Sequence, residues 1–212
     1  MSKYPRTYHF EFSPGVTNDD RIAESVSNLI GKEIVITEKL DGSNTAMTNG
    51  GVYGRSHAEF TKNPWDVKSW EIYNTIKKDI HDGLFLFGEG MYGIHSITYS
   101  NLKSYFYLFG VRDNNIWVSW DKVEEYSYLL DIPTVPVLFK GILNTEDELK
   151  NMILSLSNEP SSLGGIREGV VARNSSLFHN DDFESNVIKF VRKDHVQTST
   201  HWTRNWKKSK LN

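Results

Sequence analysis

Short apolar runs, each ended by turn-forming residues, set the rhythm of this chain. Seven of them, at residues 33–37, 52–55, 84–88, 105–111, 116–120, 169–173 and 186–191, are rich in β-branched and aromatic side chains and predict strands. Asn49-Gly50-Gly51 lies between residues 45–48 and 52–55 and predicts a hairpin turn. Helical spacing is sparser. Asn18 is placed to cap a helix over residues 19–30, with Ile22, Val26, Leu29 and Ile30 on one face and Gly31 at its end. Asn63-Pro64 opens a helix through residue 80, stopped by Gly83, with Trp65, Ile72, Tyr73, Ile76 and Ile80 mostly turned inward. Thr145 and Glu148 form a capping box ahead of Leu149, Met152, Ile153 and Leu156. Residues 155–165 are polar and rich in Gly and Ser, and predict a loop. The pattern is that of an α+β domain built on antiparallel sheet.

Length and composition narrow the class. A chain of 212 residues suits a single domain over residues 1–212 with a basic segment at 194–212. No apolar run approaches the roughly 18 residues that span a membrane. The first residues lack the apolar core of a signal peptide. With no cysteine, disulfides, thiol catalysis and cysteine zinc sites are excluded. A cytoplasmic monomer is expected. Net charge is −3 but uneven: residues 189–212 carry seven Lys/Arg against one acid, Asp194. Trp202 and Trp206 are interleaved with those charges, which suits phosphate contact and base stacking. A solvated basic tail whose tryptophans cap the core fits the same pattern.

Several apolar strands carry an acid or base at an unusual place. Ile34-Val35-Ile36-Thr37 runs into Glu38-Lys39-Leu40-Asp41-Gly42-Ser43-Asn44, which aims a lysine into a turn that Gly42 is expected to sharpen. Glu89 ends the run that starts at Leu84, Glu168 precedes residues 169–173, and Lys189 sits inside Val187-Ile188-Lys189-Phe190-Val191. Such charges are costly to bury unless paired or functional. His57, His95, His195 and His201 lack a metal-ligand spacing, and Ser43 and Ser96 lack a Ser/His/Asp grouping.

Taken in order, these stretches resemble the motifs of the covalent nucleotidyltransferases: RNA ligases, ATP-dependent DNA ligases and mRNA capping enzymes. The motifs are Glu38-Lys39-Leu40-Asp41-Gly42, Gly54-Arg55, Phe87-Gly88-Glu89-Gly90, residues 105–111, Glu168-Gly169-Val170-Val171-Ala172-Arg173, and residues 187–193. Within that superfamily the chain most resembles RNA ligases of the phage T4 RNA ligase 2 type. Asn44, the stretch Tyr92-Gly93-Ile94-His95-Ser96-Ile97, and residues 191–198 with His201-Trp202 carry that likeness. Pro5-Arg6-Thr7 and Phe12-Ser13-Pro14-Gly15 fit the same branch.

The resemblance implies a nucleotidyltransferase (ATP-grasp-like) domain of antiparallel β-sheets flanked by helices. It implies that Lys39 attacks the α-phosphorus of ATP to form a lysyl-adenylate. AMP then passes to a 5′-phosphate on nucleic acid, and a 3′-hydroxyl displaces it to seal the strand. A lysine of ordinary pKa, ~10.4, is only about 0.04% free amine at pH 7, so a lowered pKa is expected at Lys39. By the same resemblance Lys189 meets the α-phosphate, with Lys193 or Arg192 assisting. Glu168 and Glu89 would hold Mg²⁺ or Mn²⁺, Glu89 alternatively the ribose hydroxyls. Phe109 would stack on adenine, and Glu38 or its backbone would read the adenine edge. Asn44 and Arg55 would contact the sugar or the incoming 5′-phosphate. Expected partners are RNA ends in nicked or duplex RNA, or in an RNA–DNA hybrid.

Two other readings remain at this stage. One is a DNA ligase or capping-type domain needing a partner, since an oligonucleotide-binding-fold domain is not expected in the nineteen residues after Lys193. The other is a non-catalytic protein that binds nucleic-acid ends.

Overall fold

A computed structural model describes residues 3–55, 59–193 and 202–212. In chain order its strands are β1 (Tyr8–His9), β2 (Glu33–Lys39), β3 (Ser43–Thr48), β4 (Gly51–Gly54), β5 (Leu84–Gly90), β6 (Gly93–Ile94) and β7 (Phe106–Asp113). They continue with β8 (Ile116–Trp117), β9 (Val137–Ile142), β10 (Gly169–Asn174), β11 (Phe178–His179), β12 (Val187–Val191) and β13 (Lys207–Lys208). The α-helices are α1 (Val67–Ile76), α2 (Trp120–Leu130), α3 (Glu146–Asn158) and the single turn α4 (Phe183–Asn186).

Two sheets face each other. The first has the order β1-β12-β10-β2-β9, antiparallel except for the parallel β1–β12 pair. The second, β11-β8-β7-β5-β3-β4, is antiparallel throughout. Ala46, Phe87 and Trp117 of the second sheet form one buried cluster with Val187 of the first, and Val171 packs against it. On the outer side of the first sheet, Ile34, Ile36, Val170, Ala172, Ile188 and Phe190 bury Leu149 and Ile153 of α3. On that of the second, Met47, Leu86, Leu108 and Val111 meet Tyr73 and Ile76 of α1 and Trp120 and Val123 of α2. The central strands are thus covered on both faces, which is why they read as continuous apolar runs.

The hairpin and most strand expectations match these elements to within a few residues. Residues 19–30 do not. No α-helix forms there, only one helical turn at Ser27–Leu29. The preceding chain is extended, with His9 N donating to Arg21 O at 2.7 Å and Ala23 N to His9 O at 2.9 Å. Tertiary hydrogen bonds override a weak local preference here. Residues 116–120 are only partly strand: Ser119 accepts from Lys122 N and starts α2 at Trp120. The edge strand β9 was not signalled, because half of its residues are partly exposed and no alternation is clean. α3 continues to Asn158, into the expected loop. Its cap holds, Glu148 N donating to Thr145 Oγ1 at 3.1 Å, but the Glu148 carboxylate reaches Asn144 N rather than Thr145 N.

Candidate active site

Strand register gathers the charged residues. Gly169 of β10 stands opposite Lys39 of β2 on one side and Val191 of β12 on the other, and Val171 stands opposite both Thr37 and Lys189. Residues directly opposite share a face, so Lys39 and Lys189 emerge together on the side that meets the second sheet. Glu168, one residue before β10, falls beside Lys39, whose Nζ lies 2.7 and 2.8 Å from its two carboxylate oxygens. On its other side β10 lies so close to β12 that a Cβ on Gly169 would sit 2.0 Å from the Phe190 carbonyl oxygen.

From the second sheet, Asn44 of β3 pairs with Glu89 of β5. A bulge shifts the β5–β7 register: Phe87 faces Gly110 and Gly88 faces Leu108, leaving Phe109 without an opposite number. Its half-buried ring borders the cleft, a re-aimed side chain of the kind bulges produce. The turn between Lys39 and β3 does not use glycine for a left-handed conformation, since Gly42 is not among the positive-φ residues. Gly42 is needed instead for space, because a Cβ there would sit 2.6 Å from Gly90 O. Asp41 pins the facing loop, accepting from Ser96 N at 2.7 Å and Ile97 N at 2.8 Å.

The cleft between the sheets holds about 1240 Å³ and is bordered by Lys39, Asn44, Arg55, Glu89, Phe109 and Lys189. Burial pushes Lys39 down, but the carboxylates of Glu168, Glu89 and Asp41 outweigh it and hold the amine above the ordinary lysine value. The expected depression is therefore not built into this arrangement. Burial, with Glu168 and Asp41 adding to it against the pull of Lys39, raises the Glu89 carboxyl to about 8. Lys189 is lowered by burial and by the charges of Lys39 and Arg55, with Asp20 opposing.

Not every expected residue joins the cluster. Glu38 borders the cleft, but its buried carboxylate is turned to the opposite face of β2. It accepts from Ser161 Oγ and from Ser162 N at 2.9 Å, and lies 3.6 Å from Arg167 Nε. Lys193 is exposed and does not border the cleft. Arg55 borders it from an exposed position. Asn44 Oδ1 is buried in the cleft wall without a hydrogen-bond partner, an acceptor that suits a ligand hydroxyl or amine. Among the described residues no group of three or more His, Asp or Glu is arranged to hold a metal ion. Glu89 and Glu168 are two carboxylates, and hard divalent cations are commonly held by one or two carboxylates plus substrate phosphates. The donor set fits such an ion. His57, Asp194, His195 and His201 lie outside the described residues.

The cleft is also bordered by residues to which the sequence assigned no site role. Tyr4 packs edge-on against Phe109 at 5.1 Å and against Trp117 and Phe183. His95 lies 3.2 Å from Ser43 Oγ and is stacked under Trp202 with ring centroids 3.6 Å apart. Asp20 reaches Lys189 at 3.2 Å. All come from distant parts of the chain, so only the tertiary fold assembles them.

Residues 32–191 match the RNA ligase family, and the chain belongs to that family. Solved structures of Naegleria gruberi RNA ligase share the fold. A lysine-to-alanine variant with ATP and manganese aligns with a TM-score of 0.60 at 20% identity, over 93% of this chain and 58% of that one. A lysine-to-methionine variant with AMP and manganese gives 0.54 at 20% identity, over 92% and 62%. The chain therefore spans less than two-thirds of the length of these relatives. Among curated protein sequences the comparison returned no match.

Proposed function

We propose that the protein is an ATP-dependent RNA ligase in which Lys39 carries AMP as a lysyl-adenylate. The observation that carries this reading is a cleft bordered by a strand-end lysine, a carboxylate and a second lysine, with a further carboxylate bound to the first lysine through both oxygens. Manganese with ATP or AMP in the Naegleria gruberi structures supports the choice of nucleotide and ion. Lys39 Nζ forms the bond to the α-phosphorus as the α–β phosphoanhydride breaks and pyrophosphate leaves. Lys189, on the same sheet face, neutralises charge that builds on the α-phosphate. Glu168 orients Lys39 Nζ by its two-oxygen grip. Phe109 stacks on the base, and Asn44 and Glu89 meet the nucleotide's hydroxyls. The Glu38 carboxylate is occupied elsewhere, so any base-edge contact there comes from its peptide group.

Attack requires the free amine, while the carboxylates hold Lys39 protonated. A divalent cation on Glu89 and Glu168, when bound, supplies positive charge that offsets those carboxylates and the triphosphate. The substrate we propose is the end of an RNA strand, and strand joining through a 5′-adenylate is the proposed second half of the reaction. Incubation with α-labelled ATP and Mg²⁺ or Mn²⁺, then denaturing electrophoresis, tests the first step. Wild type is expected to carry label and Lys39→Ala none. An unlabelled wild type under both metals defeats the reading. Nicked RNA, hybrid and DNA duplexes offered side by side then rank the substrates.

A further inference from the structure

The segment expected to be a helix does something else. Residues 17–23 form a collar, a turn at residues 17–20 leading into a stretch that runs beside β1, and Asp20 is turned from it toward Lys189. Asp20 Oδ1 lies 3.2 Å from Lys189 Nζ and 3.2 Å from His9 Nε2. Its other oxygen accepts from Thr17 N at 3.1 Å and Thr17 Oγ1 at 2.8 Å, so the carboxylate is fixed at both ends. His9 is in turn held by Ser13, whose Oγ is 2.9 Å from Nδ1 and accepts from Val191 N at 3.0 Å. β1 places His9 opposite Lys189 itself, and Phe10 N donates to Lys189 O at 2.9 Å. β1 grips the strand that bears Lys189 by its backbone, and the collar bonded to β1 holds the lysine's amine by one carboxylate.

We infer that Asp20 is a positioning residue that keeps the Lys189 ammonium charged and aimed into the cleft for the α-phosphate, with His9 and Thr17 holding Asp20 in place. This rests on the ligase reading above. The groups facing Lys189 are Asp20 from the collar, His9 from β1, Lys39 from β2 and Arg55 beyond β4. Two of these are permanent or near-permanent cations that oppose its charge, and Asp20 is the carboxylate that supports it. Burial holds His9 down at about 4, so near neutral pH it adds no positive charge to the group. Asp20 itself is held well below the usual carboxylate range: burial opposes this, and hydrogen bonds from Thr17 with the charge of Lys189 outweigh it. The anion is thus present at every pH at which the enzyme would work. Asp20 also borders the cleft, so an arriving phosphate meets Lys189 already oriented.

The test compares wild type, Asp20→Asn, Asp20→Glu and Glu24→Gln, a charge loss from an exposed site on the same segment. Lysyl-adenylate formation is measured against ATP concentration and pH. Asp20→Asn is expected to raise KM for ATP about ten-fold, the scale of losing one charge-assisted contact, with a smaller change in kcat. Its alkaline limb, where Lys189 loses its proton, should move to lower pH. Asp20→Glu should recover part of the loss, and Glu24→Gln should match wild type. A structural ion pair alone would lower the melting temperature and leave KM and the limb in place. That result, or an Asp20→Asn enzyme indistinguishable from wild type, overturns the inference while the ligase reading stands. A wild type that takes no label from ATP defeats both.

Discussion

Lys39, Glu168 and Glu89 show how one cluster can hold a proton where the proposed chemistry needs none. Lys39 is kept charged by its carboxylates, and Glu89 is kept partly neutral by burial and by Glu168 and Asp41. This has a consequence for stability. Glu89 shifts from 4.5 to about 8 in the fold, so between those values the folded chain keeps a proton that the unfolded chain has lost. The folded state then binds more protons, and stability falls as pH rises through that window. Glu89→Gln removes the titration. Its melting temperature is expected to track wild type near pH 5 and to exceed it by a few degrees near pH 9. Each kcal/mol corresponds to about 2–4 °C in a chain of this size. Parallel melting curves across the range would contradict the assignment. Of these residues, Lys39, Glu89, Glu168 and Lys189 were legible in the sequence because each sits in or beside an apolar strand, where a charge is conspicuous. The direction of the Glu38 carboxylate was not legible, for the same local reason. Alternation along β2 puts it on the opposite face from Lys39, where a loop and Arg167 take up its carboxylate.

Elements were legible where one face pattern ran long enough and lost where tertiary bonding took over. β2, β5, β10 and β12 are buried on both sides and show as apolar runs. Residues 19–30 carry a helical spacing of apolar residues, yet backbone bonds to His9 recruit the start of that stretch into the collar. The bulge that frees Phe109 is invisible locally, because it depends on how β5 and β7 are registered. Between β10 and β12 the deciding residue is Gly169. A methyl group there meets the Phe190 carbonyl at 2.0 Å, backbone against backbone, so a rotamer change cannot relieve it. Gly169→Ala is expected to cost about 1–3 kcal/mol, the usual range for overpacking, and to lower the melting temperature accordingly. Because Glu168 is the next residue, covalent labelling should fall more than stability alone explains at temperatures where the variant is folded. Wild-type melting and labelling together would show that the strands have room to part.

At the scale of the whole molecule, the open question from sequence was the role of the basic, tryptophan-bearing C-terminal segment. In the fold, β13 pairs with β6 and returns residues 202–212 across the domain. Ser209 N donates to Tyr92 O at 2.8 Å and Asn212 N to Leu102 O at 2.9 Å, which ties the segment down along its length. Trp206 packs edge-on against Tyr92 at 5.7 Å and Trp65 at 6.1 Å. Trp206 thus caps the domain, while Lys207 and Lys208 stay exposed, Lys208 Nζ lying 5.9 Å from the Tyr92 ring centre. Trp206→Ala should lower thermal stability by about 1–3 kcal/mol, the cost of losing a partly buried aromatic. It should leave the salt dependence of RNA binding unchanged. The double substitution Lys207→Ala with Lys208→Ala should leave the melting temperature within about 1 °C, since exposed charges contribute little. It should weaken RNA binding uniformly across sequences, and reduce the slope of log affinity against log salt by about 2. Binding titrations at several salt concentrations, run beside melting curves, separate the two effects. A double variant with an unchanged salt slope would mean that the strand end enters the cleft by another face, and that β13 only closes the fold.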